Sequence, residues 1–439
     1  MASLKEQKEA FVTGHDGTSP GELLVVCIAA PLGVWLYQLL RPVSRLKACV
    51  LEATVLLFPM ALCQTNLLYP WGLGLLCILS VVGSVATLMT KKSAEDDSGA
   101  IDAPVQLKNA KLAFVSSYRA SVMYLTFVAI LAVDFHVFPR RFAKTEIYGY
   151  GLMDVGAGSF VVAAGLVSHR ARGVEWKGKG AVVRMLPLLA LGMIRFLTTK
   201  GLDYQEHVSE YGVHWNFFFT LAMLTPLSAL TPSRWEIPIG IMAVYQFFLT
   251  MKGLQQYIEE APRSCADSES TLCNLFAANR EGILGVVGYL VLFLGAEFLG
   301  RVCVWNHDGK RKGRLVIASV ALWALHQIMV VMGIRASRRS TNATFCIWTL
   351  AHNITVLSLL DIASVANEVP PIFNSVNRNG LIVFVVANLL TGLVNLSMNT
   401  LAASDQVALL VVFLYLCSVG CFSLMLDYFM SKYVKAKRD

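Results

Sequence analysis

The sequence is poor in charged residues. Lys, Arg, Asp and Glu together make up 15% of its 439 residues, and 56% of the residues are hydrophobic. A soluble domain has about 25% charged residues. Apolar runs of about 18 or more residues, which can cross a hydrocarbon core about 30 Å thick, recur along the chain. The composition excludes an ordinary soluble domain and indicates a polytopic membrane protein.

The sequence also lacks the short alternating strands that a membrane barrel needs. In lipid, a helix satisfies all backbone amides within its own segment. We therefore predict an all-α fold, a polytopic helical bundle in which residues 1–439 form a single integral membrane domain with about 13 transmembrane helices. The predicted spans are 22–40, 48–63, 67–90, 120–138, 150–168, 181–199, 213–232, 236–251, 282–300, 315–334, 342–365, 380–398 and 406–430.

The polar N-terminal segment lacks the basic-then-apolar pattern of a signal peptide. An odd number of spans places the two termini on opposite sides of the membrane. Lys and Arg concentrate in cytoplasmic loops. Their distribution predicts a lumenal segment at 1–21, a cytoplasmic loop at 91–119 and a cytoplasmic tail at 431–439.

Two basic loops fall on the predicted non-cytoplasmic side, "PRRFAKTE" at 139–146 and "RASRRST" at 335–341. Each loop either binds an anionic headgroup or phosphate, or reflects ordinary scatter in loop charge. The longest predicted lumenal loop, 252–281, contains Cys265 and Cys273. In an oxidising compartment these two cysteines either pair or remain free thiols.

The sequence has no GxGxxG motif, no P-loop and no zinc-ligand spacing, so we expect no bound cofactor and no metal site. Ionisable groups in the spans are then the functional candidates. Asp134 lies near the end of the 120–138 span, Pro139 is expected to stop that helix, and Lys144 follows ten residues after Asp134. This pair either activates an alcohol and stabilises an oxyanion, or is a structural ion pair that anchors the loop.

A second group of polar and aromatic residues occurs in "LDYQEHVSEYGVHWNFFFTL", residues 202–221. Asp203, His214, Trp215 and Asn216 are its candidate site residues. One interpretation is an aromatic-walled site with His214 as the base, since its unperturbed pKa suits that role near neutrality. The other is an interfacial belt of aromatic and polar side chains.

A third group places amides in an apolar helix. Asn388, Thr391, Asn395 and Asn399 follow the i, i+3, i+4 spacing and are expected to share one helical face. They either hold helices together or bind sugar hydroxyls. Asp154, close to small glycines, is expected to make an interhelical polar contact.

Four long segments resemble the PIG-W/GWT family: "AVDFHVFPRRFAKTEIYGYGLMDVGAGSFV", "LDYQEHVSEYGVHWNFFFTL", "SRRSTNATFCIWTLAHN" and "NGLIVFVVANLLTGLVNLSMNTL". They occur in the family's order across essentially the whole chain. The resemblance implies a membrane-bound O-acyltransferase of the endoplasmic reticulum. It implies transfer of a long-chain acyl group, typically from palmitoyl-CoA, to the inositol of glucosaminyl-phosphatidylinositol, an early step of GPI-anchor biosynthesis.

The family's acid and lysine correspond to Asp134 and Lys144, and its paired arginines to Arg140 and Arg141. We expect Asp134 to be the base, Lys144 to stabilise the oxyanion, and the arginines to hold a phosphate of the lipid or of CoA. His136 and the 147–151 segment depart from the family's forms. A mechanism centred on the less certain His214 is the alternative.

The remaining candidate substrate-binding residues are Trp215, Asn216, Asp203, Asn388 and Asn395. The expected partners are glucosaminyl-phosphatidylinositol, acyl-CoA as co-substrate and membrane lipid, with no nucleic acid. A transporter of a lipid or a small anionic solute is the alternative function. Such proteins often have repeated halves, and we find no convincing internal repeat.

Overall fold

The computed structural model describes residues 4–40, 42, 44–66, 74, 78, 80–85, 112–174, 179–200, 208–265, 270–306 and 308–436. Within these residues the regular secondary structure is helical, without a named strand. One isolated bridge joins Gly17 and Tyr150. This confirms the all-α prediction.

Seven helices in the described ranges are long and apolar enough to cross a membrane. An eighth is added if the bent pair Glu236–Met251 and Leu254–Glu260 forms one span. The seven are Pro20–Leu40, Ala113–Ala132, Arg280–Val304, Arg311–Val331, Ala343–Ala363, Gly380–Ser397 and Asp405–Tyr433. The polytopic class is thus confirmed, whereas the predicted count of about 13 spans is not.

The other predicted spans have different outcomes. The segment 67–90 falls largely outside the described residues. The apolar helices Leu152–Leu166 and Phe217–Leu230 are shorter than a usual span. The helix predicted at 120–138 runs from Ala113 to Ala132, so it begins inside the predicted 91–119 loop. The final helix continues to Ala436, which makes the predicted tail helical up to that residue.

The chain divides into two compact units. The first unit comprises Met1–Thr18 and Ala143–Thr355, and the second comprises Ser19–Phe142 and Val356–Asp439. The prediction that residues 1–439 act as one integral membrane domain stays a prediction.

The first unit is built around the Arg280–Leu299 helix, which packs against the Leu152–Leu166 and Phe217–Leu230 helices. Gly165 permits one of these contacts, because a Cβ there would lie 2.5 Å from the backbone oxygen of Phe293. The helices of this unit are Leu4–Val12, Leu152–Leu166, Lys179–Lys200, Val208–Tyr211, Phe217–Leu230, Glu236–Met251, Leu254–Glu260, Thr271–Ala278, Arg280–Leu299, Arg311–Val331 and the start of Ala343–Ala363.

In the second unit, the buried Glu52 caps the Pro371–Arg378 helix. Its two carboxylate oxygens accept hydrogen bonds of 2.7 Å from the backbone N–H groups of Ile372 and Phe373. Among the residues that the structure describes, the helices of this unit are Pro20–Leu40, Arg45–Glu52, Phe58–Leu62, Ala113–Ala132, the end of Ala343–Ala363, Pro371–Arg378, Gly380–Ser397 and Asp405–Ala436. A π-helical turn at Ala53–Leu57 joins Arg45–Glu52 to Phe58–Leu62.

Candidate active site

Asp134 lies in the second unit, just beyond the C-terminus of the Ala113–Ala132 helix. Its Oδ2 accepts a hydrogen bond of 2.7 Å from Nδ2 of Asn395, on the Gly380–Ser397 helix. The same Nδ2 donates to the backbone oxygen of Thr391, 3.3 Å away. Asp134 is only partly buried. Its carboxylate is therefore oriented by a neighbouring helix and can still meet a substrate.

Arg140 fixes the segment that carries this carboxylate. Its guanidinium donates to the backbone oxygens of Val133, Phe135 and Phe138 at 2.8, 2.9 and 2.9 Å. Carbonyl groups at and beyond a helix end need such partners. Burial lowers the pKa of Arg140 to about 10, and the negative charge of Asp134 acts in the opposite direction. The helix therefore ends at Ala132, ahead of Pro139, where the Arg140 guanidinium binds the carbonyl groups that follow.

Arg141 points to a different partner. Its Nη2 lies 2.9 Å from Oε1 of Glu22, in the first turn of the Pro20–Leu40 helix. The guanidinium also lies over the ring of Phe142, 5.0 Å from its centroid. Both arginines therefore have protein partners of their own, and their predicted binding of a phosphate stays a prediction.

Lys144 belongs to the first unit and to a closed set of contacts that we call the charged ring. Its Nζ forms an ion pair with Oε1 of Glu210. Oε2 of Glu210 lies 3.5 Å from Nη2 of Arg338, whose Nε lies 2.8 Å from Oδ1 of Asp154. Oδ2 of Asp154 accepts hydrogen bonds from the N–H and hydroxyl of Thr145, at 3.0 and 2.8 Å. The ring closes because Thr145 follows Lys144 in the chain.

The charged ring holds two cations and two anions and becomes more exposed towards Lys144. The exposed fraction of the side chain is 1% for Asp154, 6% for Arg338, 14% for Glu210 and 31% for Lys144. Burial alone would lower the pKa of Arg338, but Glu210, Tyr211 and Asp154 raise it well above its usual value. Arg338 therefore remains charged inside the unit.

The His214 segment is held largely by its backbone. Oδ1 of Asn279 accepts hydrogen bonds from the N–H groups of His214 and Trp215, at 2.7 and 2.9 Å. The indole N–H of Trp215 donates to Oγ1 of Thr220 at 2.9 Å. The His214 ring packs edge-on against Phe196, with 5.5 Å between centroids. A catalytic role for His214 stays a prediction.

Asn216 is the N-cap of the Phe217–Leu230 helix. Its Oδ1 accepts from the N–H of Phe218 at 3.1 Å, and its Nδ2 donates to the backbone oxygen of Gly192 at 3.0 Å. Both ends of the amide have structural partners. Asp203 lies outside the described residues.

The predicted row of four polar residues on one helical face is wrong, because the helix ends at Ser397. Asn399 instead accepts a hydrogen bond of 3.2 Å from the N–H of Leu401 and caps a short 3₁₀ turn. Asn388 donates to the backbone oxygen of Phe384 in its own helix, at 2.8 Å. Of the candidate amides, Asn395 is the one that bonds to Asp134.

Three charged residues of the charged ring, Glu210, Arg338 and Asp154, are not among the site residues predicted from the sequence. Arg338 comes from the basic loop at 335–341, whose next residue, Arg339, lies 3.1 Å from Oε1 of Glu281. Two of the three arginines of this loop, Arg338 and Arg339, are therefore paired with carboxylates inside the unit, and Arg335 lies over the ring of Tyr148. Cys265 and Cys273, for which the sequence allows either a disulfide or two free thiols, form a disulfide.

In the described part of the chain, no group of three or more His, Cys, Asp or Glu side chains could hold a metal ion.

Comparison with known proteins gives consistent relatives. The GWT1 family model matches residues 4–426. The chain is 33% identical to GPI-anchored wall transfer protein 1 of Aspergillus oryzae, covering 97% of this chain and 98% of that protein. Proteins of the same name from Yarrowia lipolytica and Candida albicans are 31% and 30% identical, each covering 97% of this chain and 98% of the relative.

Proposed function

Because the chain belongs to the GWT1 family, we propose that it is an acyl-CoA-dependent O-acyltransferase of GPI-anchor biosynthesis. The acceptor is the inositol hydroxyl of glucosaminyl-phosphatidylinositol, and the donor is a long-chain acyl-CoA such as palmitoyl-CoA. The names of the relatives, GPI-anchored wall transfer protein 1, support a place in GPI-anchor metabolism. The observation that carries the proposal is the partly exposed Asp134 carboxylate, oriented by Asn395.

The proposed chemistry is a direct transfer. The inositol hydroxyl gives its proton to the Asp134 carboxylate while its oxygen attacks the thioester carbonyl. The tetrahedral intermediate then collapses: the carbon–sulfur bond breaks, the CoA sulfur takes the proton from Asp134, and the Asp134 carboxylate is regenerated. A positioned general base typically accelerates such a step by about 10²–10⁴-fold.

The oxyanion on the thioester carbonyl needs a positive or hydrogen-bonding partner, which typically contributes about 3–4 kcal/mol to transition-state stabilisation. We assign this role to Lys144. Arg140 has a positioning role, because its guanidinium donates hydrogen bonds to the backbone oxygens on both sides of Asp134, those of Val133 and Phe135. We assign the phosphate to Arg141, whose side chain is 33% exposed and whose guanidinium lies 2.9 Å from Glu22.

The proposal includes the protein's surroundings. The enzyme would work in the endoplasmic reticulum membrane as a multi-pass protein, with its N-terminus lumenal and its C-terminus cytoplasmic. Its partners are glucosaminyl-phosphatidylinositol, acyl-CoA as a co-substrate and membrane lipid. No resident cofactor takes part in the proposed reaction.

The test compares acyl transfer by purified wild type and by Asp134→Asn, after confirming that each binds acyl-CoA. Asp427→Asn is the control, because it makes the same replacement in the second unit at a carboxylate that pairs with Arg378. We expect transfer by wild type and Asp427→Asn and loss of at least about 10²-fold in Asp134→Asn. Full activity of Asp134→Asn together with an inactive His214→Ala would move the base to His214.

A further inference from the structure

We propose that Glu210 and Arg338 are positioning residues that set the orientation of the Lys144 ammonium for acyl transfer. The inference rests on the proposed function, since it concerns a residue of that reaction. The contacts of the charged ring in the first unit carry it.

Glu210 connects the two cations of the ring with separate oxygens. Oε1 pairs with Lys144, and Oε2 faces Arg338 at 3.5 Å. A lysine ammonium is a point charge on a flexible four-carbon chain. Ordering such a chain costs rotamer entropy. A carboxylate that is itself fixed can hold the ammonium in one place before the substrate arrives.

Arg338 fixes that carboxylate from the buried side. Its guanidinium lies between Glu210 and Asp154, and the planar fork of an arginine suits two carboxylates at once. Asp154 in turn binds the N–H and hydroxyl of Thr145. Lys144 is therefore restrained through its side chain by Glu210 and through its backbone by the residue that follows it.

The burial of the ring favours positioning over a purely structural role. A buried ion pair contributes little net stability compared with apolar residues of similar size. Here exposure rises from 1% at Asp154 to 31% at Lys144. The ring thus has two buried charged side chains, Asp154 and Arg338, and a partly buried Glu210. It presents the Lys144 ammonium at its exposed end, which is the arrangement expected of a support for a catalytic cation.

The first experiment measures kcat and KM for acyl-CoA with wild type, Glu210→Gln and Glu297→Gln. Glu297 is the matched control, because it is a buried glutamate of the same unit paired with Arg170 at 3.1 Å. We expect Glu210→Gln to lower kcat by about tenfold to a hundredfold, with little change in KM for acyl-CoA, because misplacing the cation impairs the chemical step more than binding. Glu297→Gln should leave both constants close to those of wild type.

The second experiment does not depend on activity. An amine-reactive acetylating reagent is applied at pH 8 and the labelled lysines are identified by mass spectrometry. Glu210→Gln should raise the labelling rate of Lys144 about fivefold relative to Lys252, the factor expected when a pairing of about 1 kcal/mol is lost. Glu210→Asp keeps the charge. If Glu210→Gln fails to fold, Glu210→Asp is used in both experiments, and a lower kcat with little change in KM for acyl-CoA is then the supporting result.

The inference is overturned if Glu210→Gln and Glu297→Gln lower kcat alike, with the Lys144 labelling rate unchanged. An unchanged kcat in Glu210→Asp would also overturn it when that variant replaces Glu210→Gln. If wild type makes no acylated product, the proposed function fails instead, and the labelling rate still reports whether Glu210 holds Lys144.

Discussion

The replacement Asp154→Asn tests whether the charged ring holds the first unit together. Asparagine has nearly the same shape as aspartate and keeps an oxygen that can accept from Thr145. It removes the negative charge that lies 2.8 Å from Nε of Arg338. The variant therefore leaves a buried guanidinium with Glu210, at 3.5 Å, as its remaining carboxylate partner in the ring.

The expected loss of stability follows from the burial of the pair. Arg338 and Asp154 have side chains 6% and 1% exposed. Breaking a buried pair by removing one partner destabilises a protein by about 3–5 kcal/mol. The remaining Glu210 places the loss near the lower end, about 3 kcal/mol. The pair of Arg378 with Asp427 is the comparison, because its arginine is 43% exposed. Such a pair contributes about 0–1 kcal/mol.

The assay is the free energy of unfolding in mixed detergent micelles as the fraction of SDS is raised. Asp154→Asn should lose about 2 kcal/mol more than Asp427→Asn. Losses that agree within about 0.5 kcal/mol would refute the reasoning. In that case the buried ring would contribute no more to the free energy of unfolding than an exposed ion pair does.

Three further predictions use the same protein. Asn395→Leu removes the amide donor to Asp134 and should lower kcat about tenfold without unfolding the protein, and an unchanged kcat would argue against that hydrogen bond. Cys265→Ser removes a disulfide that closes eight residues. It should reduce the free energy of unfolding by about 2–3 kcal/mol, and reducing agent should then have no further effect on this variant. Gly288→Ala places a Cβ 2.1 Å from the backbone oxygen of Thr341 and should lower stability by about 1–3 kcal/mol, so a neutral melting temperature would contradict the close approach.

Helix positions followed well from the sequence, because long apolar runs in a membrane protein have one main solution for their backbone amides. The ends of the helices followed less well. The run 133–138 is almost as apolar as the helix before it, so hydropathy extends the helix to Phe138. The helix ends at Ala132 because the Arg140 guanidinium donates hydrogen bonds to the backbone carbonyl groups beyond that residue. Such a contact cannot be recognised from hydropathy.

The candidate site residues differ in the same way: the sequence identifies some of the residues but not the contacts between them. Asp134 stands out in sequence because a carboxylate at the edge of a span is costly and needs a partner. Its partner Asn395 was selected as an amide but not paired with Asp134, since 261 positions separate them. In the sequence, Arg338 is part of a basic loop that either binds an anion or reflects ordinary scatter in loop charge. Asp154 and Glu210 neutralise its charge through contacts that form only in the folded protein. Counting charges along the sequence does not reveal such contacts.

The most direct test of the central claim is the product made by the purified wild-type protein from isotopically labelled palmitoyl-CoA and glucosaminyl-phosphatidylinositol. Mass spectrometry and fragmentation locate the labelled acyl group. The account predicts one labelled palmitoyl group on the inositol ring, formed by wild type and not by Asp134→Asn. If folded wild-type protein that binds both substrates makes no inositol-acylated product, the proposed acyl transfer is contradicted.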